Sequence, residues 1–410
     1  MVHRFWLLAA IVFGLGVSLG GQTLRCGSDA RRAELYAENP ALLLKRQERE
    51  ARLQARLRQG GFEGRGTLTI PVVVHILWHE PEENLPDERI HSQIEALNRD
   101  FQALNEEIPL VPAEFAPFIA EVGIEFCLAT HDPEGNPTDG ITRTFTPNPA
   151  IGGSADIHYT ERGGHDAWDT ERYLNIWVAK FQGVSGVGSF PGEDPPAEQG
   201  VEVDYRYFGT IDALPPLDRG RTTTHEVGHF LNLEHPWGPN FDSGCNEDDF
   251  VDDTPLSSRT YNGECPSHPQ VSCGSNDMFM NFMYYTDDAC MALFTLGQKA
   301  RMLAALELFR PALLEAAGCL PVATHEPAPL QAPSLFPNPS SGSVVLELPP
   351  EWQGATLRLF DIRGRALPFT QCGSPARPTL QLEGLPPGAY WLFVEKNGAR
   401  SVRRLILAPH

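Results

Sequence analysis

The sequence has no long apolar run beyond its N-terminus and few basic residues for its length. No run of about 18 apolar residues occurs after residue 21, so no membrane span is expected in the mature chain. The 410 residues include 32 basic and 53 acidic side chains, which gives a net charge of −21. Because nucleic acids and anionic membranes are bound through basic patches, this balance argues against both as partners. An apolar fraction of 41% is enough for folded cores.

Two N-terminal segments precede the folded body. Residues 1–21 combine a basic start, an apolar middle and a small-residue end, which is typical of a secretory signal peptide. An uncleaved membrane anchor is the alternative. Export makes disulfide bonds plausible. Residues 22–64 are predicted to be a pro-segment, because residues 30–58 are rich in Ala, Leu, Glu and Arg with leucines at helical spacing, and Gly60-Gly61 ends that pattern.

Three histidines and a glutamate form the pattern H-E-x-x-H-x-x-N-x-x-H. On a helix, His225 and His229 lie on one face about one turn apart, so both imidazoles can reach one Zn²⁺. Glu226 would lie beside the metal, where it can take a proton from a metal-bound water and return it to a leaving amine. The alternative is an amphipathic helix with two surface histidines. The pattern favours a zinc hydrolase.

A third zinc ligand requires this helix to end soon after His229. His235 lies six residues further on and would face away on a straight helix. Asn232 is predicted to adopt the left-handed conformation that ends helices, and Pro236 prevents the helix from continuing. We therefore expect the chain to turn and bring His235 back to the metal.

This motif and a second one downstream resemble the pappalysin family of metzincin metallopeptidases. Metzincins carry H-E-x-x-H-x-x-G-x-x-H and a methionine turn, and Asn232 stands where most of them have Gly, as is common in pappalysins. Residues 281–291 are similar to the pappalysin Met-turn. The resemblance implies that Met283 lies under the zinc and that Tyr285 is near the metal, where it steadies an oxyanion. Tyr284 stands where the family usually has Asp.

The resemblance implies an α+β catalytic domain over residues 65–319, with a mixed β-sheet and a zinc-binding active-site helix. Residues 183–191 would be the edge strand above the cleft, where an extended peptide adds by β-pairing; an ordinary loop is the alternative. Apolar periodicity independently predicts strands at 67–77, 124–128 and 174–178 and helices at 87–104 and 297–316.

Two residues are implied by the resemblance to control access to the site. Cys26 lies in the pro-segment and is similar to the cysteine switch of some pappalysin zymogens, in which a thiolate takes the place of the catalytic water. A lipidated or incidental cysteine is the alternative. Asp288 follows Met283 in a stretch that lines the pocket for the residue after the scissile bond. An acid there would favour Arg or Lys, unless Asp288 is simply a surface acid.

The loop after His235 is strongly acidic and would suit Ca²⁺, which prefers hard oxygen ligands. The family has a calcium loop here, and Asp249 and Thr254 match its pattern best, with Asp252 a weaker candidate. A solvated acidic loop is the alternative.

Four cysteines between the third histidine and the end of the Met-turn allow three pairings. The resemblance favours Cys245–Cys273 and Cys265–Cys290. A second structural zinc is the alternative, although no C-x₂-C pair is present. Three further cysteines have no partner that the sequence assigns: Cys127, Cys319 and Cys372.

The C-terminal region is distinct. Residues 320–335 are proline-rich and are predicted to be a linker. Residues 336–410 contain short strands with Gly/Pro turns, which predicts a small immunoglobulin-like β-sandwich. The P-N-P-x-x-G at 337–342 and the G-x-Y at 388–390 resemble the C-terminal sorting domain of type IX secretion substrates. That implies export across a Gram-negative outer membrane, whereas a carbohydrate-binding or adhesion sandwich is the alternative.

The sequence thus predicts a secreted zinc endopeptidase that is made as a latent zymogen and acts on protein or peptide substrates. Two other functions stay open. One is a non-enzymatic zinc-bearing scaffold that binds surface polymers, and the other is a dedicated enzyme that cuts a single target protein.

Overall fold

The structure is a computed structural model and describes residues 23–62, 66–239, 244–314, 333–360, 366–382, 384–396 and 399–408. The predicted signal peptide and most of the predicted linker lie outside these residues. The chain divides into two compact units, Met1–Leu320 and Pro321–His410. Among the described residues, no helix is both long and apolar enough to span a membrane.

The first unit is built on a seven-stranded sheet with the order β1-β6-β7-β5-β2-β3, in which β4 also pairs with β2. Neighbouring strands are parallel except that β6 is antiparallel to β7. The predicted strands are present, whereas β1, β4 and β7 were not predicted. The strands are β1 (Leu24–Cys26), β2 (Leu68–Trp78), β3 (Ile124–Leu128), β4 (Ile141–Phe145), β5 (Leu174–Ala179), β6 (Val184–Gly188) and β7 (Val201–Asp204).

Five helices accompany this sheet. The predicted helical stretch 30–58 is present as two helices. The first ends at residue 38, because Pro40 lacks the backbone N–H needed to continue it. The predicted closing helix is also shorter than expected, ending before Pro311. The helices are α1 (Ser28–Glu38), α2 (Ala41–Leu57), α3 (Asp87–Phe101), α4 (Arg221–Phe230) and α5 (Leu296–Phe309).

The apolar core of this unit lies between the sheet and helices α3, α4 and α5. Val72, Val74 and Ile76 of β2 are fully buried, as expected of a β-branched central strand, and they share one cluster with Val227 and Leu303. α5 begins with a capping box in which Thr295 and Gln298 bond each other's backbone N–H. This packing fixes α4, which carries the predicted metal ligands, against the sheet.

The second unit consists of two four-stranded sheets, β11-β10-β14-β15 and β12-β13-β9-β8. Their neighbouring strands are antiparallel, and residues of both sheets form one apolar core. β8 begins before the expected boundary at residue 336. The strands are β8 (Ser334–Phe336), β9 (Ser343–Glu347), β10 (Thr356–Phe360), β11 (Ala366–Leu367), β12 (Thr370–Ser374), β13 (Arg377–Gln381), β14 (Gly388–Lys396) and β15 (Ala399–Leu407).

Candidate metal centre and catalytic cleft

Helix α4 and the turn after it place three histidines at one point. Gly220, whose φ is 76°, directly precedes α4, and all ten residues of the helix are buried. Asn232 has φ 70°, so the prediction that it ends the helix in the left-handed conformation is confirmed. Arg301 of α5 donates from Nε to the Asn232 carbonyl at 2.8 Å, which holds the turn in place. His235 is thereby directed back towards α4.

The three imidazoles converge through their Nε2 atoms. His235 Nε2 lies 3.1 Å from Nε2 of His225 and 3.1 Å from Nε2 of His229. Each Nδ1 faces an oxygen instead. His225 Nδ1 lies 2.7 Å from Phe282 O, and His229 Nδ1 lies 2.8 Å from Leu233 O. His235 Nδ1 lies 2.9 Å from Asp29 Oδ2. An Nδ1–H that donates to oxygen leaves the Nε2 lone pair free to bind a metal.

This donor set fits Zn²⁺. Nitrogens bound tetrahedrally to one zinc at about 2.0–2.1 Å lie about 3.3 Å apart, close to the separations found here. Burial and the neighbouring His235 lower the pKa of His229 to about 3, so its imidazole is neutral, as a ligand must be. The Cys26 sulfur joins the same group, because its ligand atom and those of the three histidines all lie within 4.8 Å of one another.

Glu226 lies beside this centre and is completely buried. Its Oε2 accepts hydrogen bonds from Ser28 Oγ at 3.0 Å and from Cys26 Sγ at 3.3 Å. Among the described residues, Oε1 has no hydrogen-bond partner. Burial raises the pKa of Glu226 to about 8. Glu226 thus lies where a carboxylate could reach a water molecule at the histidine centre.

The Met-turn lies directly beneath α4. Met283 is fully buried, and a Cβ added to Gly228 would come within 2.5 Å of its sulfur, so the turn can approach the helix only at a glycine. The Tyr285 ring lies 5.6 Å from that of His225 and 5.0 Å from that of His235, measured between centroids. The structure therefore brings Met283 and Tyr285 to the histidines.

Strand β1 carries Cys26 into the cleft by pairing with the edge strand β6. The pairing is parallel, with Leu24 opposite Val184 and Cys26 opposite Gly186. Ser28 follows and accepts a hydrogen bond from the Gly188 N–H at 2.8 Å. Residues 24–28 thus occupy the strand edge that an extended peptide would need.

Asp288 is not a surface acid, because it is fully buried. Its Oδ1 accepts from Arg25 Nη2 at 2.6 Å, and its Oδ2 accepts from the backbone N–H groups of Arg219 at 2.8 Å and Arg221 at 3.2 Å. The fixed carboxylate already binds a guanidinium next to Cys26, as a selector of basic residues would.

The candidate calcium residues are only partly together. The buried carboxylate of Asp249 accepts from the Thr254 hydroxyl at 2.7 Å and from the Val251 N–H at 3.2 Å, and burial raises the pKa of Asp249 to about 8. Asp252 is exposed. The neighbouring Asp253 instead bonds the start of α5, accepting from Thr295 Oγ1 at 2.6 Å.

The cysteines are arranged as follows. Cys245–Cys273 and Cys265–Cys290 are disulfide-bonded. Cys127 is also disulfide-bonded, and Cys319 lies outside the described residues. Cys26 is free and buried, whereas Cys372 is free and exposed.

Comparisons with known proteins agree with this geometry. The model of the family described as Pregnancy-associated plasma protein-A, the pappalysins, matches residues 159–307. An extracellular metalloprotease of Arthroderma otae is 30% identical over 253 residues, which are 59% of this chain and 79% of that protein. This chain belongs to the pappalysin family. It is therefore a zinc metallopeptidase, and the histidine centre offers the ligands that such a metal needs.

Solved structures extend the comparison. A promirolysin mutant from Tannerella forsythia is 36% identical with a TM-score of 0.66, covering 72% of this chain and 98% of that one. Mature mirolysin from the same organism, in complex with a cleaved peptide, is 40% identical with a TM-score of 0.58, covering 62% and 97%. The larger coverage by the pro-form is consistent with a pappalysin preceded by a pro-segment.

The C-terminal unit has a match of its own. Residues 334–408 match the family described as Secretion system C-terminal sorting domain. Together with the extracellular relatives, this match indicates that the protein is secreted.

Sequence reasoning missed several residues that build the cleft. Ser28 forms a hydrogen bond with Glu226, and Asp29 forms one with His235. Gly186 and Gly188 let β6 approach α4. A Cβ at Gly188 would lie 2.4 Å from the Glu226 carbonyl oxygen. One sign of this contact was visible in the sequence. The two glycines are two residues apart in the predicted edge strand, so they face the same side of it.

Proposed function

We propose that the protein is a zinc-dependent endopeptidase with Glu226 as its general base, that it prefers Arg or Lys after the scissile bond, and that it is made as a latent zymogen. The observation that carries the proposal is the single buried centre in which three Nε2 atoms, Cys26 and Glu226 meet. Three metal ligands without a neighbouring acid would also be compatible with a non-enzymatic zinc-bearing scaffold. A buried, proton-exchanging carboxyl group next to them suits hydrolysis.

The residues divide the chemistry between them. Zn²⁺ held by His225, His229 and His235 would polarise the scissile carbonyl and acidify a water. Glu226 takes a proton from that water during attack and delivers it to the leaving nitrogen. The Tyr285 hydroxyl steadies the oxyanion by donating a hydrogen bond to it.

Substrate selection rests on Asp288. Its carboxylate is held by two backbone N–H groups of the catalytic unit, so it stays in place when Arg25 leaves. A substrate Arg or Lys would then take the position of the Arg25 guanidinium. Charge-assisted hydrogen bonds in a buried pocket are strong, so this contact decides which peptide bond is cut.

Latency rests on three contacts that lie close together in the pro-segment. Arg25 fills the selectivity pocket, Cys26 takes a ligand position, and Ser28 binds the general base. Substrate, water and proton transfer are therefore all blocked while residues 25–28 stay in the cleft.

Two further assignments belong to the proposal. Asp249 and Thr254 supply oxygen ligands for a structural Ca²⁺, because a buried carboxylate with a raised pKa gains from a cation. The C-terminal unit is an immunoglobulin-like sandwich recognised by type IX secretion machinery. It would bring the enzyme to the surface of a Gram-negative outer membrane or into the medium.

The test is a peptide-library digest with the processed enzyme and its Glu226→Ala variant. We expect cleavage before Arg or Lys by the wild type alone, with one zinc bound to each protein. In Asp288→Ala the preference for a basic residue should disappear while other bonds are still cut. Full activity of Glu226→Ala would exclude Glu226 as the base, and no cleavage by folded, zinc-loaded wild type would favour the scaffold.

Latency is tested on the unprocessed chain. Cys26→Ala should raise the activity of the uncleaved zymogen, since the position at the metal becomes available to water. Cys372→Ala, which removes the exposed free cysteine, is the matched control and should leave latency unchanged. Equal latency of all three proteins would contradict the cysteine switch.

A further inference from the structure

A second arginine of the pro-segment is bound by an acidic site of its own. Arg31, on α1, donates to Asp194 Oδ1 at 2.6 Å, to Glu198 Oε2 at 2.6 Å and to Glu202 Oε1 at 3.1 Å. We call these three carboxylates the triacid site. All three are buried, so one guanidinium is held by three charges that the fold has largely removed from water.

Two of the three acids, Glu198 and Glu202, are also held by residues outside the pro-segment. The Tyr159 hydroxyl donates to Glu198 Oε1 at 2.8 Å, and the Gly153 N–H donates to Glu202 Oε2 at 3.1 Å. His158, only 1% exposed, places Nε2 3.3 Å from Glu202 Oε1, although neither of its ring nitrogens has a hydrogen-bond partner of good geometry among the described residues. These supports remain when the pro-segment is removed.

The charge of the site calls for a cation. Burial raises the pKa of Asp194 even with Arg31 present. Burial would also raise the pKa of Glu202, but His158 and Arg31 together hold it below its ordinary value. Release of Arg31 therefore uncovers three neighbouring carboxylates that repel one another. Another guanidinium or ammonium would restore the balance.

The site lies across the zinc ligands from the Asp288 pocket. Asp288 bonds backbone N–H groups at the start of α4. The segment that leads from β6 to the triacid site reaches the other end of this helix, where the Phe190 ring lies 5.0 Å from that of His229. Along the pro-segment, Cys26 likewise separates Arg25 from Arg31. If Asp288 faces the residue after the scissile bond, the triacid site faces residues before it.

We propose that Asp194, Glu198 and Glu202 form a subsite for an Arg or Lys side chain that precedes the scissile bond in the substrate. The inference rests on the proposed endopeptidase function and adds a second basic requirement on the other side of the bond. The enzyme would then prefer polybasic segments, with one basic residue directly after the cut and another a few residues before it. The pro-segment imitates that arrangement with Arg25 and Arg31.

The experiment uses quenched fluorescent peptides that all have Arg after the scissile bond. Each of the four preceding positions is in turn Arg or Gln, and kcat/KM is measured with processed enzyme at active-site-titrated concentration. We expect Arg to raise kcat/KM about tenfold at one of these positions, which corresponds to about 1.4 kcal/mol of binding free energy. In the Asp194→Asn/Glu198→Gln double variant, this gain should vanish while kcat/KM for the Gln peptides stays the same.

Controls separate this inference from the proposed function. Glu161→Gln removes an acid that is 79% exposed and should retain the full Arg gain. Cleavage before Arg with no gain at any of the four positions in the wild type would overturn the subsite and leave the endopeptidase intact. No cleavage of any peptide by the folded wild type would instead overturn the proposed function. Because the wild-type peptide series decides the question alone, a misfolded double variant leaves the test valid.

Discussion

The first unit contains two helices, α4 and α1, that meet at the cleft but bury different kinds of side chain. α4 buries all ten of its residues, and α1 buries only Ser28 and Arg32 of its eleven. α4 packs into the apolar core, whereas the side chains of α1 meet carboxylates. Arg32, for example, donates to both oxygens of Glu234, at 2.9 and 2.8 Å.

The difference teaches how a segment can be held firmly and still be removable. An apolar interface would leave an exposed apolar patch on the mature enzyme, which favours aggregation. An interface of arginines and carboxylates leaves charges that water solvates again. Other arginines of the pro-segment form ion pairs of the same kind: Arg46–Glu234, Arg49–Glu193 and Arg56–Glu307.

The largest effect is expected from a change in the permanent core. Phe101 is fully buried, and its ring centroid lies 4.9 Å from those of Phe126 and Phe294. Phe101→Ala should lower the free energy of unfolding by about 3–5 kcal/mol in the zymogen and in the processed enzyme alike. Urea unfolding followed by tryptophan fluorescence measures this. Leu110→Ala, at a side chain that is 74% exposed, should change it by less than about 0.5 kcal/mol.

A smaller effect, confined to the zymogen, is expected at the apolar anchor of α2. Leu53 is fully buried in the core cluster of the catalytic unit. Leu53→Ala should weaken docking of the pro-segment by about 2–4 kcal/mol and shorten the lag before activation. Leu44→Ala on the same helix, at 63% exposure, should keep the wild-type lag. Equal lags for the two variants would show that α2 contributes no apolar anchoring.

The smallest of the three effects is expected at the charged interface. Arg32→Ala should cost about 2 kcal/mol of docking, below the 3–5 kcal/mol typical of a stripped buried pair, because Arg46 still contacts Glu234. The readout is the rate at which chymotrypsin cuts the pro-segment, since replacing an arginine removes no chymotrypsin site. The Arg56 and Glu307 side chains are 17% and 20% exposed, against 4% and 3% for Arg32 and Glu234. Arg56→Ala should therefore lower the docking free energy by less than about 1 kcal/mol. A larger effect for Arg56 than for Arg32 would reverse our view that burial decides the strength of these pairs.

Local patterns were enough to predict the centre of the fold. Helical spacing placed His225 and His229, and the conformational tolerance of Asn predicted the turn that brings in His235. Strands β2, β3 and β5 were recognised because buried strands are apolar and β-branched. In each case the determining interactions lie within a few residues along the chain.

Contacts between distant segments were beyond such patterns. β1 has three residues and gains its conformation only by pairing with β6, about 160 residues away. Arg25 pairs with Asp288 across 263 residues of the chain, and Arg31 pairs with the triacid site across 163 to 171 residues. A sequence shows how many charges there are, but only the fold shows which of them meet.

The glycines of β6 have a consequence for how this enzyme can evolve. A Cβ at Gly186 would come within 2.8 Å of the Glu226 side chain, and one at Gly188 within 2.4 Å of its backbone oxygen. Any larger residue at either position would push the rim of the cleft away from Glu226. Natural selection can therefore not use these two positions to adjust substrate preference. If Asp288 and the triacid site bind substrate as proposed, new specificities would arise there instead.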